Sequence, residues 1–385
     1  MKHFTIFNIC LLPAACAAAG CYLSTGASFH EDAAADAPAD ASADDAAADD
    51  GAGDHADPVE TPPPPCDTPP LLVATKTEFI GEASPRVVGA AFYDESRDRV
   101  VVYGGLRGSG DYTPDAVAID FAADEIRLLG YEGSSPVGWT QAGTAYDPGG
   151  DRVFVVGGTV RGDFSRRVLE IRNVGDDALS AESLPDIPDR PLRAVAAGWD
   201  PDGRRLVFFG GYDGTGTGHS GETWQIFPDA SDPEWRQLPD TGEPAAQEGA
   251  LMTHVPSFGL VMLAKSSWDY QGTRQVFVMR TGGETWQQIP LDPTWDPGNR
   301  PNIFWDNDAC RLMTWGGGCT EGAHSIDLFA VPAAVTEITV DIDGLEPRVF
   351  LNATLDTRRR RVIIHGGYDC RVDVFLGTVE QIFFL

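Results

Sequence analysis

The strongest constraint on how this chain can fold is a segment that recurs six times. The copies run from Phe92-Tyr93-Asp94 to Tyr103-Gly104-Gly105, from Ala145-Tyr146-Asp147 to Val156-Gly157-Gly158, and from Gly198-Trp199-Asp200 to Phe209-Gly210-Gly211. They continue from Met252-Thr253-His254 to Leu263-Ala264-Lys265, from Phe304-Trp305-Asp306 to Trp315-Gly316-Gly317, and from Thr354-Leu355-Asp356 to His365-Gly366-Gly367. The first residue of the closing pair falls at 104, 157, 210, 264, 316 and 366, so the spacings are 53, 53, 54, 52 and 50. A period of that size means one supersecondary unit, repeated, whose copies bury their apolar faces against one another.

Each copy reads as a hairpin. A strand ends at the Asp, a four-residue turn follows, and an Arg five residues after the Asp opens the next strand, as in Asp94/Arg99, Asp147/Arg152, Asp200/Arg205, Asp306/Arg311 and Asp356/Arg361. Turn chemistry supports this in Pro148-Gly149-Gly150 and Pro201-Asp202-Gly203. Second strands such as Val100-Val101-Val102-Tyr103 and Leu206-Val207-Phe208-Phe209 are apolar throughout, which requires cover on both faces. A radial array of small twisted sheets provides that cover.

With Asp, Arg and Gly-Gly in one register in five of six copies, the region 72–385 resembles the kelch family, whose repeat is a four-stranded blade of about fifty residues. The resemblance implies an all-β chain folded as a six-bladed kelch-like β-propeller over 71–385. The last copy supplies only three strands, ending at Val379 to Leu385, and Leu71 to Ile80 precedes the first copy unassigned. That N-terminal segment is therefore expected to complete the last blade, which removes two open edges.

Residues 1–20 read as a signal peptide: Lys2 and His3 precede an apolar run from Phe4 to Ala19, too short for the ~20 residues of a membrane span. Ala18-Ala19-Gly20-Cys21 resembles the bacterial lipobox, with Ala18 where Leu is usual, and this implies a lipid-anchored protein of the cell envelope that begins at an acylated Cys21. Ordinary cleavage after Ala19 is the alternative. Residues 21–70 follow as an acidic Ala/Asp/Pro-rich stalk, with twelve Asp and Glu, no Lys or Arg, and Pro62-Pro63-Pro64-Pro65 at its end. Low hydrophobicity with high charge prevents such a segment from offsetting its ordering entropy, so the stalk is expected to be disordered.

Of 58 acidic and 28 basic residues in the chain, the leader and stalk hold twelve and one, so the repeat region stays near −19. That field argues against a phosphate backbone, hence against nucleic acid as partner, and the lipid anchor is the only membrane contact the sequence implies. No nucleophile elbow, His-Glu-x-x-His helix or phosphate-cradling glycine loop is present, and the histidines show no ligand spacing, so no catalytic residue, metal or cofactor is assigned. The function expected is a binding or scaffold module. Because exported kelch-like proteins include sugar mutarotases, which need only a few polar groups at a channel mouth, a carbohydrate-active enzyme is the alternative.

In such a propeller the loops after the second and fourth strands open on the face that usually binds. Candidate ligand residues there are Tyr212, Tyr368 and the four arginines Arg86, Arg193, Arg300 and Arg348, which precede first strands. Guanidinium groups suit carboxylates, so the arginines point to an anionic carbohydrate, a peptide or a protein surface; pairing with neighbouring acids is the structural alternative. The fourth copy breaks the repeat, with His254 and Gly259 in place of Asp and Arg and Ala264-Lys265 in place of Gly-Gly. Local rules often break at functional sites, which makes Lys265, Trp268 and Tyr270 a candidate binding edge; drift in one degenerate copy explains it equally.

Four cysteines lie beyond the leader and lipobox, an even number in an exported chain. Cys310 and Cys319 flank a strand of at least six residues, so at ~3.3 Å per residue they are ~20 Å apart and out of disulfide reach. Cys319 and Cys370 follow the glycine pairs of adjacent blades and are expected to pair, with Cys66–Cys310 as a second bridge.

Overall fold

The repeated Asp organises its hairpin through both carboxylate oxygens. In the first copy Oδ1 of Asp94 accepts the Arg97 backbone N–H at 3.2 Å, while Oδ2 accepts Nε of Arg99 at 3.0 Å. Asp147 repeats this with Gly150 N and Arg152, Asp200 with Gly203 N and Arg205, and Asp356 with Arg359 N and Arg361. All eight of these Asp and Arg residues are buried. The residue before each Arg takes a positive φ, from 47° to 54° at Asp98, Asp151, Arg204, Cys310 and Arg360, which turns the chain back into register. The fifth copy exchanges partners: Arg311 pairs with Asp327 at 3.0 Å, and Asp306 accepts Nη2 of Arg360 from the sixth copy at 2.8 Å.

The computed structural model describes residues 72–384, outside single positions and short stretches of which 266–273, 296–300, 317–321 and 342–347 are the longest. The described chain is all-β, with no helix, and is divided among several sheets whose strands pair mostly antiparallel. In unit 1 the strands Ala90–Asp94, Arg99–Tyr103, Ala116–Asp120 and Glu125–Tyr131 pair in chain order. Units 2 to 5 follow the same order and begin with the first strands Gly143–Asp147, Ala196–Asp200, Leu251–Val255 and Asn302–Asp306. In unit 6, Asn352–Asp356, Arg361–His365 and Val379–Phe384 are joined by the N-terminal strand Leu72–Thr77, in register from Leu72↔Phe384 to Thr77↔Val379. Val340 and Asp341 then pair in parallel with Leu72 and Val73, so the outer edge of that strand is partly covered. Units 1 and 2 are tied similarly, through Gly130↔Ala178 and Tyr131↔Leu179.

Second strands are buried at all five positions in units 1, 2, 3 and 6. Successive side chains point to opposite faces, so each strand feeds two different clusters. Phe92 shares a cluster with Val153, Phe154 with Phe208, and Phe209 with Phe277; Leu263 shares one with Leu312, Met313 with Ile364, and Ile363 with Val117. Every cluster draws on two consecutive units, and the last joins unit 6 to unit 1. Each large apolar side chain buried this way contributes about 1.5–3 kcal/mol. The closing glycines are needed where the second strand leaves the sheet: Gly104 and Gly105 have φ of 67° and 103°, and a Cβ on them would lie 2.7 Å from the Trp139 carbonyl oxygen and 2.8 Å from that of Val87.

The fourth unit corrects the alignment read from the sequence. Gly259 pairs with Val255, so Val255 holds the place of the repeated Asp and the turn is one residue shorter. His254 instead occupies the position of Trp199 and Trp305, with neither Asp nor Arg in its hairpin. Val255, fully buried, replaces the ion pair with apolar packing.

The Cys310 Sγ lies 3.7 Å from the Asn307 carbonyl oxygen, and its expected partner Cys66 falls outside the described residues. Cys66, Cys319 and Cys370 lie outside the described residues, as do the leader, Cys21 and the stalk.

Candidate functional site

The first strands are innermost, and neighbouring ones touch in the order of the units, with unit 6 returning to unit 1. The space they surround has two ends with different chemistry. At one end the chain enters each first strand from a connector; at the other it leaves through the Asp–Arg hairpin.

At the connector end, the residue two positions before the first strand has a positive φ in the five units where it is described: 48° at Val88, 53° at Gln141, 51° at Ala194, 72° at Gly249 and 57° at Phe350. This kink turns each peptide toward its neighbour. Val88 N donates to Phe350 O at 2.9 Å, Gln141 N to Val88 O at 3.2 Å, Ala194 N to Gln141 O at 2.8 Å, and Gly249 N to Ala194 O at 2.8 Å. The result is an arc of peptides, hydrogen-bonded in series, around a cavity of about 170 Å³ lined mainly by backbone and apolar side chains such as Val195, Leu251 and Phe350.

The sequence-derived arginines sit behind that arc. Arg86 is fully buried, and its Nη1 donates to the Gly104 carbonyl at 3.1 Å and the Asp115 carbonyl at 3.3 Å. Arg348 is 4% exposed; its Nη1 donates to the Gly366 carbonyl at 2.8 Å and its Nη2 pairs with the buried Glu380. Trp139 takes the same place in unit 2 and donates Nε1 to the Gly157 carbonyl. The shared task is to satisfy the carbonyl that the first glycine of the pair turns away from the sheet. Desolvation lowers the Arg86 pKa to about 10 despite the nearby Asp115. These two guanidiniums therefore do not make the anion-favouring mouth expected from the sequence.

Arg193 stands one position later in its connector. Its Nε donates to Glu248 at 3.2 Å, and its guanidinium lies 5.0 Å from the Phe164 ring centroid and 5.1 Å from that of Tyr212. Tyr212 also meets His219, at 4.8 Å. Tyr368 is half-buried, edge-on to Phe375 at 5.4 Å. Arg300, Trp268 and Tyr270 lie outside the described residues; the Lys265 backbone ends a strand and pairs with Arg274.

The larger cavity opens at the other end, which the sequence reading had set aside. About 400 Å³ in volume, it is lined by the C-terminal halves of the first strands of units 1, 2, 4, 5 and 6 and by the start of their turns. Its wall carries Tyr93, Tyr146, His254 and Trp305 from one strand position, Thr144 and Met252 from another, and Glu95, Asn307 and Thr357 from the turns. Phe92 stacks on Tyr146 at 5.0 Å and 27°. The Tyr93 hydroxyl donates to Asp98 at 2.7 Å, and Thr357 Oγ1 donates to Glu95 at 2.7 Å across the seam between units 6 and 1. In unit 3, Trp199 turns into the sheet interface instead, stacking on Phe154 at 5.3 Å beneath the Arg152 guanidinium.

Burial pushes the Tyr146 phenol up, helped by Asp94, Asp151 and Glu95; burial and the Asp98 hydrogen bond do the same to Tyr93. Burial pushes His254 down, against the pull of Asp200 and Asp202. Tyr93, Tyr146 and His254 are therefore uncharged at neutral pH, and Glu95 is the one acidic side chain of the lining. Among the described residues no group of three His, Cys, Asp or Glu side chains gathers as a metal ligand set.

No protein-family model matches this chain, and no curated protein matches it in sequence. The site is therefore read from its own geometry. Sequence reasoning missed it because its aromatics sit at consecutive hairpins and read as core; the available signal was that one strand position holds Tyr93, Tyr146, His254 and Trp305 in turn.

Proposed function

We propose that this protein is an exported, lipid-anchored, six-bladed kelch-like β-propeller that binds a small ligand in the cavity at the hairpin end. The blade count rests on the six repeat units, on the clusters shared by consecutive units, and on the cluster that returns from unit 6 to unit 1. The leader, Cys21 and the stalk at 21–70 would place the domain at the envelope surface, and mass spectrometry of detergent-extracted protein should find a diacylated Cys21 at the mature N-terminus. An unmodified terminus there would remove the anchor from this reading.

The observation that carries the binding assignment is the 400 Å³ cavity itself, with aromatic walls, threonine hydroxyls and a single carboxylate. Ligand sites are mostly apolar concavities with a few placed polar groups, commonly ~300–1,000 Å³, and this one has that size and composition. A thermal-shift screen of a small-molecule library against the full chain tests it. Hits should disappear in Thr144→Phe, which fills the cavity, and survive in Val374→Ser at a remote exposed position; hits indifferent to Thr144→Phe would overturn the assignment.

A further inference from the structure

We infer that the ligand of this cavity is an organic cation, an ammonium or guanidinium compound of a few carbon atoms; this rests on the cavity being the binding site. The first ground is the formal charge on the wall. Glu95 is its one carboxylate, and no Lys or Arg lines it. The arginines of the surrounding rim are already committed: Arg97 bridges Asp94 and Asp151, Arg359 bridges Asp98 and Asp356, and Arg360 bridges Asp306 and Asp308. Arg358 acts electrostatically on the lining residue Tyr93 and on Asp98, but its own side chain is not part of the lining. An anion entering here would meet Glu95 with no cation in the lining itself to offset it.

The second ground is the wall's π surface. Tyr146, half-buried and backed by Phe92 at 5.0 Å, and Trp305 on another strand present ring surface in the same cavity as Glu95. Ring faces attract cations, and Trp and Tyr are the strongest of the side chains that do so. A carboxylate at the rim with aromatic rings below it combines long-range attraction with a desolvated resting place for a weakly hydrated charge. The net charge of the repeat region, near −19, favours the same sign of ligand.

The volume limits the size. At about 400 Å³ the cavity suits a compact cation and excludes a folded polypeptide segment with more than a side chain inserted. The amino-acid content thus reverses the expectation drawn from the connector arginines, which pointed to an acidic ligand.

Three probes of nearly the same shape separate charge from size: choline, the neutral 3,3-dimethylbutan-1-ol, and 3,3-dimethylbutanoate. Calorimetric titration of the full chain should find choline bound at least tenfold more tightly than the alcohol, and the carboxylate weakest. Glu95→Gln should bring choline down to the alcohol's affinity while leaving that of the alcohol unchanged. If choline and the alcohol bind equally, and Glu95→Gln changes neither, the cation assignment is overturned while the cavity remains the site. If none of the three binds at millimolar concentration, the cation assignment also falls, and the cavity is then judged by the library screen with Thr144→Phe.

Discussion

The two ends of the first strands are products of one repeat, yet they use its polar residues in opposite ways. At the connector end, long donors from Arg86, Trp139 and Arg348 are turned inward onto glycine carbonyls, and consecutive peptides hydrogen-bond to one another around a small apolar cavity. At the hairpin end the charges of Asp and Arg are satisfied beside the cavity, within and between hairpins, and the wall is left to Tyr93, Tyr146, His254 and Trp305. One end spends its polar groups on holding the backbone; the other leaves a larger space free. Substitutions at the first should therefore cost stability, and those at the second should cost binding.

The largest effect is expected from Arg348→Ala, which leaves Glu380, 1% exposed, without its buried cation. Removing one partner of a buried pair typically costs about 3–5 kcal/mol, readable as a shift in the urea midpoint. Loss of ligand binding with an unchanged midpoint would invert the comparison between the two ends.

Acid should act next, and through the same end. His365 is fully buried, neither ring nitrogen has a hydrogen-bond partner among the described residues, and burial with Arg86 and Arg348 nearby lowers its pKa to about 3. Between the unfolded value near ~6.5 and that folded value, the unfolded chain binds the extra proton. Stability is therefore intact above the unfolded value and falls as pH drops through this window, by about 1.4 kcal/mol per pH unit from this group. Urea titrations at several pH values should show His365→Gln losing that share of the slope; an identical slope in both proteins would remove His365 from the account.

At the hairpin end the pH effect should appear in binding instead. His254 is held below the usual histidine range by burial, so it is neutral at pH 7 and gains charge only as pH falls through its lowered value, facing Asp200 and Asp202. Choline affinity should drop severalfold in acid, and His254→Gln should reduce that drop. A profile unchanged by the substitution would place the titrating group elsewhere.

The smallest effect belongs to the hairpin-end seam. Arg359 forks onto Asp98, whose pKa is lowered to about 2 by that arginine, against a rise from burial, with help from the Tyr93 hydroxyl. The stabilisation is present above the ordinary carboxylate pKa and lost as pH falls through about 2. Because Arg359 is 38% exposed, Asp98→Asn should cost only about 1 kcal/mol or less near neutral pH. A loss as large as that of Arg348→Ala would show that the hairpin end, too, is held by its charges.

Much of the fold was legible in the sequence because a repeat writes its local chemistry many times. The Asp and Arg of one hairpin are five residues apart and meet through a turn that their own side chains cap, so spacing alone identifies them. The placement of the N-terminal strand was also legible, since the last copy was one strand short; its pairing Leu72↔Phe384 to Thr77↔Val379 is what that deficit required. The fourth copy was read one residue out because a shortened turn leaves the count from Gly259 intact and shifts only the strand before it.

What the sequence by itself determined is therefore the content of each unit: strand, turn, strand, and the glycines that end it, all set by neighbours within about ten residues of one another. Only the tertiary structure decided where the donors and rings point. Arg86 finds its acceptor on Gly104, and the cavity wall gathers two or three residues from each of five strands spread over units 1, 2, 4, 5 and 6. Side-chain direction in a ring of sheets depends on how each unit rotates against the next, and no local pattern records that rotation. The same aromatic position consequently becomes cavity wall at Tyr146 and sheet interface at Trp199.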